Sequence, residues 1–308
     1  MDLSVIIPIY DEESNVNALY DRLSSVIWGL GLSKFELIFV NDGSKDNSLG
    51  LIKKLASQDP AVRYVDLTRN FGHQIAISAG LDLSVGKAVV IIDADLQDPP
   101  ELIEPLYRKL SEGYDVVYAK RRSREGESLF KQLTAKLFYR LLTQITEVEI
   151  PVDTGDFRII SHKVVAALRQ MPERSKFLRG QIAWVGYRQT FVEYDRAGRA
   201  SGESGYTYQK LLQLALDGIT AFSDVPLKAA TVSGFGVSFI AFVATLYTLY
   251  SRFVAHNYVP GWPSLMISVL FLGGVQLVAI GVIGKYLSRL NADVRRRPLY
   301  LVANSNLT

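Results

Sequence analysis

The apolar run AVVII, residues 88–92, ends abruptly at Asp93, and Asp95, Gln97 and Asp98 follow before Pro99 and Pro100. Carboxylate and amide oxygens at the end of a core strand are hard ligands. Mg²⁺ takes one or two such carboxylates and completes its shell with phosphate oxygens from a substrate. Asp93, Asp95 and Gln97 alternate, so an extended chain would aim them to one side. That set suits a metal–diphosphate site better than a metal cage built from protein alone. D-x-D by itself is common by chance. Its weight here comes from following a buried strand, with Asp42 ending another. Asp98, directly before two prolines, reads as a helix N-cap.

The elements that must hold these acids are legible up to residue 120. Short β-rich runs (LSVIIPI, FELIFV, VRYVDL, KAVVII and YDVVYA) alternate with helical stretches such as Glu13–Leu30 and Lys45–Ser57. The alternation predicts an α/β domain with a mainly parallel sheet. Ligands of such sheets bind beyond the carboxyl ends of the strands. Three of those ends carry acids: Asp11 and Glu12 after the first strand, Asp42 after the second, Asp93 and Asp95 after the fourth. A dinucleotide fold would have a glycine fingerprint after the first strand. PIYDEES stands there instead, and there is no Walker glycine loop.

Hydrophobic residues make up 48% of the 308-residue chain and mean hydropathy is +0.13, an excess that sits at the C-terminus. Ala229–Ser251 and Val259–Gly284 carry no formal charge. Each exceeds the roughly 20 apolar residues a helix needs to cross a bilayer. Lys228 precedes the first run, and Lys285, Arg289 and Arg295–Arg297 follow the second. The positive-inside rule makes both ends, and everything before Pro226, cytoplasmic. Arg252 and His256 in the connector point weakly the other way. The expected organisation is a cytoplasmic domain at 1–225, two transmembrane helices at 226–290 and a basic cytoplasmic tail at 291–308, held in the inner (plasma) membrane. No basic leader with a cleavage site opens the chain, so no secretory signal is read.

The chain has no cysteine, which excludes disulfides, thiolate catalysis and zinc–cysteine sites. His73, His162 and His256 are too far apart in sequence to suggest a metal cluster. Leu129, Leu133, Leu137, Leu141 and Ile145 form an i, i+4 stripe with Lys131, Lys136 and Arg140 on other faces. This basic amphipathic helix, about 128–146, either lies in a membrane interface or packs on a core. A second, about 206–223, leads into the first apolar run and reads as interfacial.

SVIIPIYDEESN, VNDGSKDNS, RNFGHQIAISAG and DADLQDPPE together resemble the nucleotide-sugar half of a glycosyltransferase family 2 enzyme, whose members have a GT-A fold. VDTGDFRIISHKV, FLRGQIAWVGYRQ and RAGRASGESGYTYQKL, followed by two apolar runs, are similar to bacterial polyprenyl-phosphate glycosyltransferases. The likeness is strongest to the bactoprenol glucosyltransferases of O-antigen modification, with dolichyl-phosphate mannose synthases more distant. It covers nearly the whole chain in family order. The resemblance implies that Pro8, Tyr10, Glu12 and Asp42 line a nucleoside pocket, that Asp93 helps hold the nucleotide, and that Asp95 with Gln97 binds Mg²⁺ or Mn²⁺. It places Asp156, in TGDFR, at the position of a catalytic base. Pairing with Arg158 is the structural alternative for that carboxylate. Relatives often carry lysine before tyrosine in G-x-S-x-Y, whereas Gly205 precedes Tyr206 here, so one cation expected for the acceptor phosphate is missing or supplied elsewhere.

An anionic lipid acceptor needs cations. Arg121, Arg122, Arg124 and Lys131 form one group, with Lys120 beside them, and Arg179, Arg196 and Arg199 a second. Arginine's planar fork suits phosphate, although charge runs are more often solvated faces or anchors to anionic lipid. The expected reaction is inverting transfer of glucose from UDP-glucose to undecaprenyl phosphate, by a homo-oligomer at the cytoplasmic leaflet. The same reaction with GDP-mannose or a modified aminoarabinose nucleotide is a sibling reading, and a membrane-tethered nucleotide-sugar scaffold is the non-enzymatic one. A processive synthase would carry Q-x-x-R-W, and Gln181–Trp184 reads QIAW. The basic residues match no nucleic-acid-binding motif, so no nucleic-acid partner is expected.

Overall fold

LSVIIPI is apolar at almost every position because both faces of its strand are covered. β1 (Leu3–Ile9) is buried throughout, as a parallel strand between helical layers must be. The computed structural model describes residues 1–32, 34–122, 154–174, 176–195, 223, 225–254 and 261–307. These form two units: one built on a sheet and including residues 297–308, the other helical.

In the sheet unit, α1 (Val16–Gly29), β2 (Phe35–Asn41), α2 (Ser48–Gln58), β3 (Val62–Leu67), α3 (His73–Leu83) and β4 (Ala88–Ile91) alternate, as the sequence pattern predicts. A 3₁₀ turn at Pro100–Leu102 leads into α4 (Ile103–Ser111), followed by β5 (Val116–Arg121). After β6 (Thr154–Ser161) come α5 (His162–Arg169), α6 (Leu178–Trp184) and β7 (Gln189–Tyr194). β8 (Val302–Ser305) falls within the stretch read as a basic tail.

The sheet order is β7-β5-β6-β4-β1-β2-β3-β8. β1 pairs parallel with β2 and β4, β2 with β3, and β5 with β7; β6 runs antiparallel between β4 and β5, and β8 antiparallel to β3. Strand alternation divides the core. Leu3, Val5, Ile7 and Ile9 join Val16, Leu19, Leu23 and Ile27 of α1 in one layer. Ile6, Ile38 and Val40 meet Ala76, Ile77 and Leu81 of α3 in the other.

Asp98 does not cap the helix that follows it. The cap position falls on Pro99 with no side-chain bond, because the Asp98 carboxylate accepts the Tyr194 hydroxyl instead.

The helical unit consists of α7 (Val225–Phe253) and α8 (Trp262–Val294), which pack on each other. Ser223 Oγ accepts the Val225 N–H at 3.1 Å, and Tyr286 donates its hydroxyl to the Ser223 carbonyl at 2.6 Å. Val225–Ser251 and Phe271–Val294 are long and apolar enough to cross a membrane. Phe235, Phe239, Leu277 and Val278 are each more than two-thirds exposed, a display of apolar surface that soluble monomers avoid. The segments read as amphipathic helices, about 128–146 and 206–223, lie outside the described residues apart from Ser223.

Candidate active site

β1 leads through α1 to β2 on one side, while β4 joins it on the other, so the strand order reverses between β1 and β4. Ligands of open α/β sheets bind beyond the strand ends at such a point. Antiparallel pairing then brings in a third strand. Ile91, the last residue of β4, is opposite Arg158, and Asp93 and Asp156, each two residues beyond that pair, come together with ligand atoms within 4.8 Å. Opposed residues of an antiparallel pair share a face, here the face covered by α3.

Asp156 is held on both oxygens. Oδ1 accepts Arg179 Nε at 2.9 Å and Arg158 Nη2 at 3.2 Å. Oδ2 accepts Gln74 Nε2 at 3.4 Å and lies 3.3 Å from His73 Nε2. Arg158 is fully buried, and its guanidinium also donates to the Asp156 and Gly155 carbonyls and stacks over the Tyr118 ring. Burial favours the neutral acid, but Arg179, His73 and Arg158 outweigh it and hold the Asp156 carboxyl well below the usual carboxylate range. Asp93 has the opposite balance. Burial pushes its carboxyl up to about 6, the nearby Asp156, Asp95 and Asp98 add to this, and His73 opposes it. Burial lowers the affinity of His73 for its proton, yet Asp156 and Asp93 raise its pKa above the ordinary value.

The D-x-D-x-Q stretch is a turn and not an extended strand. β4 ends at Ile91, Asp95 Oδ1 accepts the Gln97 N–H at 3.1 Å, and Leu96 has φ 57°. The self-made turn at Asp95 competes with ladder pairing and places Leu96 in the left-handed region, a strain of about 1–2 kcal/mol. The expected one-sided alternation of Asp93, Asp95 and Gln97 is therefore lost, while Gln97 is buried.

A divalent cation fits the donors present. Asp93 Oδ1 is buried without a hydrogen bond among the described residues, and four carboxylates act on one another there. Ligand atoms of His73, Asp93 and Asp156 lie within 4.8 Å of one another, a grouping that histidine spacing in the sequence does not reveal. Asp156 already bonds two arginines, which leaves Asp93 as the carboxylate of this group without an arginine partner among the described residues.

At the β2 end, Asp42 is buried and accepts the Phe71 N–H at 2.7 Å and the Gly72 N–H at 2.9 Å, pinning the entry to α3. Burial raises its pKa, and those two N–H bonds oppose the rise. Gly43, at φ 69°, permits this: a Cβ there would sit 2.5 Å from the Arg69 backbone. Pro8 is buried on β1, Tyr10 is 43% exposed, and half-buried Glu12 accepts Asn15 Nδ2 at 2.6 Å. Burial raises the Glu12 pKa, the bond from Asn15 opposes the rise, and Asp95 adds to it.

Of the cations, Arg179 joins Asp156 directly. Arg121 lies against Asp98 and Tyr194. Arg122 is instead an exposed partner of Glu193 and Asp195. Arg124, Lys131, Arg196, Arg199, Gly205 and Tyr206 lie outside the described residues. Sequence reading passed over His73, Gln74, Asp98 and Tyr194 as site components. A polar pair directly after Gly72, at a helix start, is the one local signal for the first two.

A doubly wound sheet with acids massed beyond its switch point, and no dinucleotide glycine loop, defines a GT-A-type α/β domain. The glycosyl transferase family 2 profile matches residues 4–169, and the chain belongs to that family and is a glycosyltransferase. An uncharacterized glycosyltransferase of Synechocystis sp. is 49% identical over 99% of this chain and 95% of its own length. Another from Bacillus subtilis is 45% identical over 98% and 93%. The SfII prophage-derived bactoprenol glucosyl transferase of Shigella flexneri is 42% identical over 99% of each chain.

Proposed function

We propose that this protein transfers glucose from UDP-glucose to the phosphate of a polyprenyl phosphate, with inversion, at the cytoplasmic face of a membrane. The observation that carries the reading is the likeness over nearly the whole chain to proteins named bactoprenol glucosyl transferase, apolar helices included.

An acceptor phosphate oxygen attacks the anomeric carbon, and the bond to the UDP oxygen breaks with its electron pair leaving on the diphosphate. One displacement inverts the centre, so no second carboxylate is needed as a nucleophile. Asp95 and Gln97, with Asp93, would hold Mg²⁺ or Mn²⁺, which neutralises leaving-group charge when bound. The acceptor needs little deprotonation, since a phosphate monoester has a second pKa of about 6. Asp156 has low proton affinity because Arg179, His73 and Arg158 surround it. In this reading it acts as an anionic post that orients Arg179 and His73, and general-base work is not required of it. Pro8, Tyr10, Glu12 and Asp42 border the nucleoside.

The topology proposal rests on connectivity. The chain leaves the sheet unit before α7 and re-enters it at Arg297 to form β8. Two membrane crossings return the chain to the side it left, and Lys285, Arg289 and Arg295–Arg297 make that side the cytoplasmic one.

The deciding experiment offers UDP-glucose, GDP-mannose and UDP-GlcNAc to the purified protein with undecaprenyl phosphate, with and without EDTA. Glucosyl-lipid from UDP-glucose, lost in EDTA, is expected. Lipid labelling from GDP-mannose alone would overturn the glucose assignment.

A further inference from the structure

Arg121 ends β5, in register with Tyr194 of β7 on one side, and its guanidinium lies against Gly155 of β6 on the other. Its surroundings form a built holder. The Asp98 carboxylate, 1% exposed, accepts a hydrogen bond from the Tyr194 hydroxyl, and the same hydroxyl oxygen accepts one from Arg121 Nε at 3.3 Å. Asp98 Oδ2 lies 3.7 Å from Arg121 Nη2. Burial and the bond to Asp98 push the Tyr194 phenol up to about 12, so it keeps the proton this arrangement needs. The guanidinium lies across Gly155, where a Cβ would be 3.0 Å from Nη2 and 3.7 Å from Cζ.

Three features make this more than charge pairing. Nη1 and Nη2 of Arg121 donate no hydrogen bond among the described residues, although its side chain is only 24% exposed. Asp98 lies in the loop that follows β4, five residues beyond Asp93, so its pairing with Arg121 ties the guanidinium to the loop that carries the site's acids. The neighbouring Arg122 is 60% exposed and pairs with the surface acids Glu193 and Asp195, leaving Arg121 as the inward cation of that pair.

We infer that Asp98 and Tyr194 are positioning residues that present the terminal nitrogens of Arg121 to a substrate phosphate, with Gly155 as the floor that makes room. The inference rests on the transferase reading above. The ligand chemistry is a phosphate oxyanion, from the lipid acceptor or from the donor diphosphate, which a guanidinium fork binds through paired N–H donors. Tyr194 orients the guanidinium through Nε, so losing its hydroxyl frees the fork to rotate. Gly155→Ala presses on the fork without changing any polar group.

The test measures KM for undecaprenyl phosphate, KM for UDP-glucose, kcat and melting temperature for wild type, Tyr194→Phe, Asp98→Asn, Gly155→Ala, Arg121→Ala and Arg121→Ala/Tyr194→Phe. Each single variant is expected to raise one of the two KM values about tenfold, with kcat within about twofold. The KM that moves identifies which phosphate Arg121 meets. Tyr194→Phe is expected to add nothing further once Arg121 is alanine, because coupled residues are not additive. Unchanged KM values in all single variants, or an equal Tyr194→Phe effect with and without Arg121, would overturn the positioning role alone. Absence of wild-type sugar transfer to the lipid phosphate would instead overturn the transferase reading and this role with it.

Discussion

Replacing Asp156 by asparagine would leave Arg158 buried without its carboxylate partner. Truncating one partner of a buried pair typically costs about 3–5 kcal/mol. Arg158 keeps its carbonyl bonds and its stack on Tyr118, so the lower end is expected, read as a fall in unfolding free energy in detergent. The site also has a pH signature. Asp93 is raised from 3.8 to about 6, and His73 is raised above 6.5. Both bind protons more tightly when folded, so their contribution is full below the unfolded values and lost as pH rises through the folded ones. Asp156 is lowered, so its contribution is lost only as pH falls below 3.8. In EDTA, melting temperature should therefore fall as pH rises from about 4 to 7. Asp93→Asn should make that fall shallower, with Asp42 and Glu12, whose pKa values burial also raises, supplying the remainder, and Mn²⁺ should offset it. A wild-type profile as flat as that of Asp93→Asn would refute this account. Asp93 and Asp95 stand out in sequence because local charge interrupts an apolar strand, whereas His73 and Arg179 carry no such contrast.

At the scale of elements, the brace between β2 and α3 depends on Gly43. Gly31 has nearly the same φ, 67° against 69°, but open space around it. Gly31→Ala should thus report backbone strain alone, about 1 kcal/mol. Gly43→Ala adds a collision with the Arg69 backbone and should destabilise by several times that, with weaker UDP-glucose binding, since Asp42 loses its hold on Phe71 and Gly72. Equal losses in chemical denaturation would show that the close approach is unimportant. The strands and helices up to residue 120 were readable because each is a local period of burial. The turn at Asp95–Gln97 was not, since an extended run and a side-chain-bonded turn are compatible with the same letters. Asp98 was misread for a similar reason. Its local signal is that of a cap, and its partner Tyr194 comes from β7.

The whole molecule closes its sheet with its own C-terminus. Asn306 accepts the Tyr64 N–H at 2.7 Å and donates to the Val62 carbonyl at 3.1 Å, while Tyr300 donates to Asp82 at 3.1 Å. Deleting residues 301–308 would bare the β3 edge, a template for aggregation. A lower melting temperature and detergent-resistant oligomers are expected, and an unchanged melt with a monodisperse elution profile would count against the role of β8. The cysteine-free chain also makes its topology directly measurable. Ala255→Cys, in the connector, should react with an impermeant maleimide in intact spheroplasts, and Gln58→Cys only after permeabilisation; the reverse pattern would invert the proposed orientation.

Sequence alone determined the α/β class, the acids at three strand ends and the two apolar helices, because burial periodicity and charge contrast are properties of neighbouring residues. Only the tertiary structure decided what those acids face. The β4–β6 pairing brings Asp93 to Asp156, α3 and α6 add His73, Gln74 and Arg179, and β7 adds Tyr194 to Asp98. The hydrogen bonds among these residues join positions from 23 to 96 apart, since Arg179 meets Asp156 and Tyr194 meets Asp98. Strand order and register bring such segments together, and neither is encoded in any short stretch of the chain.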